Sequence, residues 1–169
     1  MTELKKNNAI KYLLFVFIIM ISACSNKSTN DDLFKKYYIL PENPITKDAI
    51  HPNSQLEVGI NAYFVQDYLG SKAALKPLIE NDKSINLEAF YFYAHSFMAT
   101  GDYDKAVIYF EAAQERLIGH ISQPAEWYSA LALMKKGDID KSKKILKNII
   151  AKANHKYYKD ANDLLDALK

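Results

Sequence analysis

Residues 101–110 read GDYDKAVIYF and residues 137–146 read GDIDKSKKIL, so the pattern Gly-Asp-x-Asp-Lys recurs after 36 residues. The same shift relates further small or apolar residues around this pattern: Ala94 with Ala130, Ala106 with Ser142, Phe110 with Leu146, and Ala113 with Ile149. A weaker copy precedes them by 31 or 32 residues, at Ala62, Gly70, Ala74 and Leu78. Self-similarity at this spacing is typical of a solenoid, in which stacked repeats bury a continuous core.

The spacing resembles that of tetratricopeptide repeats, which are pairs of antiparallel helices of about 34 residues. In that family the second helix carries alanine, an aromatic residue four positions later and alanine three positions after that, as Ala106, Phe110 and Ala113 do here. The other copies depart from the pattern at four positions: Asn81, Ser142, Leu146 and Ile149. The resemblance implies an all-α fold, a right-handed superhelical solenoid of about three helix pairs with a C-terminal capping helix.

The small residues of the repeat have a physical reason. We expect Ala94 and Ala106 to lie where two helices cross closely, since a larger side chain there would cost ~1–3 kcal/mol through overpacking. Gly101 and Gly137 suit the left-handed backbone that ends a helix, and each is followed by an aspartate that can cap the next helix. The sequence therefore predicts a helix, a tight turn and a second helix in each copy.

The predicted solenoid occupies residues 55–169. Its last stretch has an apolar side that is typical of a capping helix: Tyr158, Ala161, Leu164, Leu165 and Leu168. From Lys135 to Lys169 there are ten lysines and five aspartates. This excess indicates either a solvated helical surface or a contact with an acidic partner or anionic lipid headgroups.

The N-terminal 23 residues have the pattern of a signal peptide. Three lysines (Lys5, Lys6 and Lys11) precede the apolar run Tyr12 to Ala23, which is short for a membrane span of ~20 residues. Polar residues follow at positions 25–32, which we interpret as a tether within a segment 24–32. Residues 33–54 are predicted to contain a short helix and an irregular stretch, because prolines interrupt them.

Cys24 is the only cysteine of the chain, and Ile21-Ser22-Ala23-Cys24 resembles the lipobox of bacterial lipoproteins. The resemblance implies cleavage after Ala23, a diacylglycerol on the Cys24 sulfur and a further acyl chain, such as palmitate, on the new amino terminus. A structural cysteine is the alternative interpretation. Because Ser25 follows the cysteine where inner-membrane lipoproteins often have aspartate, the resemblance favours the outer membrane of the cell envelope over the inner membrane.

The sequence shows no pattern typical of catalysis, so we predict that the protein is not an enzyme and has no cofactor or metal. The four histidines are too scattered for metal-ligand spacing: His51, His95, His120 and His155. Without residues 1–23 the chain has 19 basic and 19 acidic residues, because three lysines and one glutamate are removed from 22 and 20. A neutral chain gives no electrostatic reason to expect nucleic-acid binding.

A second apolar face occurs on the first helix of the two later repeats, apart from the expected packing face of Phe90, Ala94 and Phe97. Its residues recur under the 36-residue shift, and Tyr63 continues them in the first copy: Tyr91, His95 and Met98, then Trp127, Leu131 and Met134. In tetratricopeptide proteins this face lines the concave groove that binds partner peptides. These seven residues are therefore the predicted partner-binding site.

Two functional interpretations follow from this face. The first is a lipid-anchored module that binds a protein or peptide in its groove, as an accessory in assembling envelope or surface complexes. The alternative is an architectural subunit that stacks in an oligomer or a larger complex. In that case residues of the segment Leu33–Leu40 would fill the groove of their own chain.

Overall fold

A computed structural model describes residues 29–44, 54–80, 86–114 and 121–169. The chain divides into two compact units, Met1–Lys36 and Tyr37–Lys169. Helix α1 comprises residues 29–37, so its first four residues fall in the stretch that the sequence analysis assigned to the polar tether. Cys24 and the predicted signal peptide lie outside the described residues. No helix in the described part of the chain is long and apolar enough to cross a bilayer.

The second unit consists of helices in the part that the structure describes. They are α2 (Gln55–Phe64), α3 (Tyr68–Ile79), α4 (Leu87–Ala99), α5 (Tyr103–Gln114), α6 (Ser122–Lys136), α7 (Ile139–Ile150) and α8 (Tyr158–Ala167). Each helix packs against the next along the chain, and α2 also contacts α4. The fold is therefore an all-α solenoid of three helix pairs, α2–α3, α4–α5 and α6–α7, followed by α8, as the sequence predicts.

The turns within the two later pairs have the predicted left-handed glycines, but only one has the predicted aspartate cap. Asp102 accepts from the Lys105 N–H at 3.2 Å, whereas the Asp138 side chain makes no capping hydrogen bond. Gly101 and Gly137 have φ values of 81° and 96°, in the left-handed region that glycine adopts without steric cost. The residue after each glycine donates its N–H to a carbonyl in the last turn of the preceding helix, Asp102 to Phe97 at 3.0 Å and Asp138 to Leu133 at 2.9 Å. Such bonds satisfy carbonyls that a helix end would otherwise leave unpaired.

The turn of the first pair corrects the register of the weakest copy. Gln66, and not Gly70, takes the left-handed position, with φ of 64°, while Gly70 lies inside α3. The N–H of Asp67 donates to the Ala62 carbonyl at 2.9 Å, as in the later turns. The structural spacing from Gln66 to Gly101 is thus 35 residues instead of 31 or 32.

With this register, the small residues of all three pairs coincide at the helix crossings. Ala94, Ala106, Ala130 and Ser142 are fully buried. The Ser142 hydroxyl donates to the Ala130 carbonyl at 2.8 Å, so serine replaces alanine there and its hydroxyl has a partner. In the first pair the equivalent of Ala94 is Gly59, and a Cβ added there would lie 2.4 Å from Leu75 Cδ2. Small residues are therefore required at the crossings.

The packing face of α4 and the apolar side of α8 follow the sequence pattern, except at Tyr158. Phe97 on the packing face of α4 stacks on Tyr109 of α5, with ring centroids 5.6 Å apart. On α8, Ala161 and Leu164 are fully buried against the preceding pair, as expected for a capping helix. Tyr158 was expected on the same side but is 44% exposed, because it is the first residue of α8 and lies beyond the covered surface.

We expect Gly59→Ala to destabilise the protein by up to about 2 kcal/mol. Alanine favours a helix by about 1 kcal/mol over glycine, but overpacking costs ~1–3 kcal/mol, because the fully buried Leu75 side chain would have to shift. Urea denaturation followed by circular dichroism measures the difference. Asn61→Ala, at an exposed position of the same helix, is the matched control and should leave stability unchanged or slightly raised. A Gly59→Ala variant as stable as the control would contradict the close crossing.

Candidate functional site

The structure buries all seven residues of the predicted partner-binding site. Tyr63 lies on α2, three of the others on α4 and three on α6. Their exposed fractions are 2% for Tyr63, 6% for Tyr91, 0% for His95, 3% for Met98, 2% for Trp127, and 0% for Leu131 and Met134. With the corrected spacing, Tyr63 stands at the position of Met98 and Met134. The first helices of the three pairs thus contribute equivalent residues to one face.

Four of the predicted residues lie in a cluster of rings that we call the aromatic groove. Six of its members are linked by direct ring contacts: Tyr63, Tyr91, Phe92, His95, Phe110 and Tyr128. The seventh, Trp127, joins them through Tyr157, whose ring contacts both Trp127 and Tyr128. His95 lies at its centre, with its ring centroid 4.5 Å from Tyr91, 4.5 Å from Tyr128 and 4.9 Å from Phe110. These contacts are edge-to-face, the arrangement that ring quadrupoles favour. Met98, Leu131 and Met134 are core residues of α4 and α6.

Three rings of the groove were not among the predicted site residues: Phe92, Tyr128 and Phe110, the last of which the sequence placed only in the repeat pattern. Phe92 and Tyr128 are 2% and 3% exposed and contact His95. They are related by the same 36-residue shift that relates Tyr91 to Trp127. An aromatic residue at this position in both repeats was therefore a signal that could have identified them.

Residues 37–40 of the chain, which we call the tyrosine segment, pack against the aromatic groove. The ring of Tyr37 meets Trp127 edge-on, with centroids 6.1 Å apart. The ring of Tyr38 lies 5.8 Å from Tyr128, and its hydroxyl lies 3.1 Å from the Tyr63 hydroxyl. The groove is thus occupied by residues of its own chain, which is the second of the two arrangements that the sequence left open.

The aromatic groove also binds the main chain of the tyrosine segment. The Tyr128 hydroxyl donates a hydrogen bond to the carbonyl of Ile39. The side chains of Ile39 and Leu40 are 71% and 61% exposed. The groove therefore holds two rings and one carbonyl of this segment and leaves its aliphatic side chains in solvent.

Burial makes the groove electrically neutral. It lowers the pKa of His95 to about 3, so the imidazole is uncharged at physiological pH. Burial also raises the pKa of Tyr63, Tyr91 and Tyr128, whose hydroxyls therefore remain protonated. Among the described residues, Nε2 of His95 has no hydrogen-bond partner. An uncharged lining with a few hydroxyl and imidazole groups suits a neutral, aromatic ligand.

A polar cluster supports one end of the groove. The ring of Trp127 stacks on Tyr157, with centroids 5.2 Å apart and planes 4° from parallel. The loop carrying Tyr157 is fixed by His155, whose Nδ1 accepts from the Tyr157 N–H at 3.1 Å. His155 Nε2 lies 3.5 Å from Glu126, and Lys152 binds the same carboxylate at 2.7 Å. Burial lowers the pKa of His155 while Glu126 opposes the shift.

The described residues hold no group of three or more potential metal ligands. Two of the four histidines, His51 and His120, lie outside the described residues. His95 and His155 are in separate clusters, one made of rings and the other of an ion pair. In the part of the chain that the structure describes, the histidines therefore act as buried packing and hydrogen-bonding residues.

Comparison with known proteins agrees with the fold. Residues 87–116, which contain α4 and α5, match the tetratricopeptide repeat. Searches of curated protein sequences and of solved structures gave no match. Repeats of this type stack into solenoids with extended binding surfaces, so the match suggests a protein-interaction module.

We expect His95 to make the fold less stable in acid. Its pKa is about 6.5 in the unfolded chain and about 3 in the folded chain, so below pH 6.5 the unfolded state takes up the proton first. The free energy of unfolding should fall by up to about 1.4 kcal/mol per pH unit from this group as the pH drops from 6 to 4. Denaturation curves of the wild type and of His95→Phe, recorded across this range, measure the contribution.

The Phe variant keeps a ring of similar size and cannot titrate, so its stability should depend less steeply on pH than that of the wild type. Identical pH dependence in the two proteins would mean that His95 is not sealed from water in the folded state.

Proposed function

We propose that this chain is a protein-binding module of a bacterial cell envelope, anchored by lipid on Cys24, that binds an extended peptide in its aromatic groove. The observation that supports this function is the tyrosine segment itself. The groove holds the Tyr37 and Tyr38 rings and the Ile39 carbonyl, which is how side-chain pockets and a main-chain hydrogen bond together recognise a peptide.

The chemistry of the groove favours a peptide over a charged or small polar ligand. Its rings offer large apolar area with little side-chain entropy to lose, and its hydroxyls can fix the position of a backbone. No titratable group of the groove is charged at neutral pH, because burial keeps His95 and the tyrosines neutral. A phosphate or carboxylate ligand would have no cation to pair with there.

The anchor rests on the sequence pattern around Cys24, which lies outside the described residues. The lysine-rich start, the apolar run and the small residues at positions 22 and 23 match the pattern of lipoprotein processing. Each buried methylene contributes ~0.8 kcal/mol, so two or three acyl chains would hold the protein on a bilayer stably. We infer that the protein works at the envelope, on the outer membrane in preference to the inner.

A second candidate function has one observation in its favour. All seven predicted partner-binding residues are buried, and the groove is filled by the tyrosine segment. An architectural subunit with a permanently filled groove would show the same packing. The two candidates differ in the oligomeric state of the lipid-free chain, since an architectural subunit self-associates.

The lipid anchor predicts that the full chain carries fatty acid when it is produced in a Gram-negative host. Wild-type protein should incorporate an alkyne analogue of palmitate and sediment with membranes, whereas Cys24→Ser should do neither. Ser22→Ala is the matched control, because it keeps a small residue in the lipobox and should remain lipidated. Equal membrane association of Cys24→Ser and the wild type would contradict the anchor.

Binding in the groove can be followed at Trp127, the only tryptophan of the chain. A lipid-free chain labelled with 5-fluorotryptophan should give one ¹⁹F NMR signal. A protein recovered by crosslinking in the envelope and then purified should shift that signal on titration, since its peptide would replace the Tyr37 ring that contacts Trp127. Binding that leaves the signal unchanged would place the partner on another surface, and recovery of no partner would contradict the protein-binding function.

A further inference from the structure

The tyrosine segment reveals what kind of peptide the groove recognises. We propose that this segment is a resident ligand which an external partner displaces, and that the partner presents the same groups: two adjacent aromatic residues, the second a tyrosine, followed by a main-chain carbonyl. This proposal rests on the proposed function and specifies the chemistry of its partner.

Two ring positions define the first requirement. The rings of Tyr37 and Trp127 meet edge-to-face, and Trp127 also stacks on Tyr157. Tyr38 lies among the rings of Tyr128 and His95. Tyr37, the last residue of α1, and Tyr38, which follows it, thus occupy adjacent positions of the groove, so a partner needs two consecutive aromatic side chains to fill both.

Polar contacts define the second requirement. The Tyr38 hydroxyl lies 3.1 Å from the Tyr63 hydroxyl and 3.5 Å from Nδ1 of His95. A phenylalanine would fill the same space but would leave these buried groups without a partner, which is costly. The groove therefore distinguishes tyrosine from phenylalanine at this position.

The third requirement concerns the backbone. Tyr128 donates its hydrogen bond to the carbonyl of Ile39, the residue that follows Tyr38. The aliphatic side chains of Ile39 and Leu40 point into solvent, so their identity matters little for the contact. Residues 38–44 form no helix or strand and include Pro41 and Pro44, which agrees with a peptide held by pockets and one main-chain bond.

The resident ligand fits imperfectly, and this makes displacement physically reasonable. The separation of 3.5 Å between the Tyr38 hydroxyl and His95 Nδ1 exceeds the usual length of such a hydrogen bond, about 2.7–3.2 Å. Nε2 of His95 is fully buried and has no partner among the described residues. A partner whose tyrosine approaches His95 more closely would gain a hydrogen bond that the tyrosine segment makes poorly.

The segment is tethered to the groove, so it competes at a high effective concentration, of millimolar order for a short connection. An external peptide binds only those molecules in which the segment has left the groove. Its apparent dissociation constant is therefore the intrinsic constant divided by the fraction of such molecules. If the segment occupies about nine molecules in ten, its removal should tighten external binding about tenfold.

The test uses the chain's own segment as the probe, supplied in trans. A fluorescein-labelled peptide with the sequence of residues 33–44, LFKKYYILPENP, is titrated into the lipid-free chain and into its Tyr37→Ser, Tyr38→Ser variant. Fluorescence anisotropy should show that the peptide binds the variant at least about tenfold more tightly than the wild type. The same peptide with serine at both tyrosine positions is the matched control and should bind neither protein.

Circular dichroism shows whether the double variant is folded. If it is not, Tyr38→Phe provides the test, because it keeps the ring and removes only the hydroxyl contacts with Tyr63 and His95. The labelled peptide should bind Tyr38→Phe more tightly than the wild type. Equal affinity for the wild type and the folded variants, or binding to none of them, would overturn the proposal.

Two further outcomes separate this proposal from its premise. If the wild type sediments as a concentration-dependent dimer that the double substitution makes monomeric, the groove binds the segment of a second copy, and the resident-ligand proposal is wrong. A purified envelope partner that shifts the Trp127 signal but is not displaced by excess peptide would also overturn it, while leaving the protein-binding function intact. A purified partner that excess peptide displaces from the groove supports both the resident-ligand proposal and the protein-binding function.

Discussion

The close crossing of the two helices in each pair is the constraint on which the rest of the structure depends. It is possible only because the residues at the crossings are small: Gly59, Ala94, Ala106, Ala130 and Ser142. It also requires a left-handed residue in the turn between the two helices, which reverses the chain. Packing one face of each first helix against its partner leaves a second face of the same helix uncovered. Stacking of the three pairs then brings those second faces together, as the ring contacts of Tyr63 with His95 and of Tyr91 with Tyr128 show.

That second face explains why the groove has its composition. α4 and α6 are buried along eight consecutive residues, 91–98 and 127–134, so both helices are covered on every side. The pairing helices cover one side, and the tyrosine segment contributes to covering another through Tyr37 and Tyr38. The neutral His95 and the protonated tyrosines are consequences of this burial, and they set the preference for an uncharged aromatic peptide.

The sequence was sufficient for the fold because its strongest signals are local. The repeat, the alanines and the turn glycines all act within one helix pair, and the two later pairs were placed correctly. The first pair was misplaced because glycine is the residue expected at a left-handed turn and Gly70 lies nearby, whereas Gln66 adopts that conformation in the structure. The 36-residue shift also relates Phe92 to Tyr128, but each ring lies one position beyond a predicted groove residue, Tyr91 or Trp127, and helical spacing alone does not assign it to the same face.

The occupation of the groove could not be derived in the same way. The contacts of the tyrosine segment join residues 25, 57 and 89 positions apart, and no periodicity connects Tyr38 or Ile39 with their partners. The central claim is that these contacts exist in solution. Nuclear Overhauser measurements on the lipid-free chain, with labelled tyrosine and tryptophan rings, test it most directly. Cross-peaks between the Tyr37 ring and the Trp127 indole are predicted, and their absence, together with a solvent-exposed Tyr37 ring, would contradict the account.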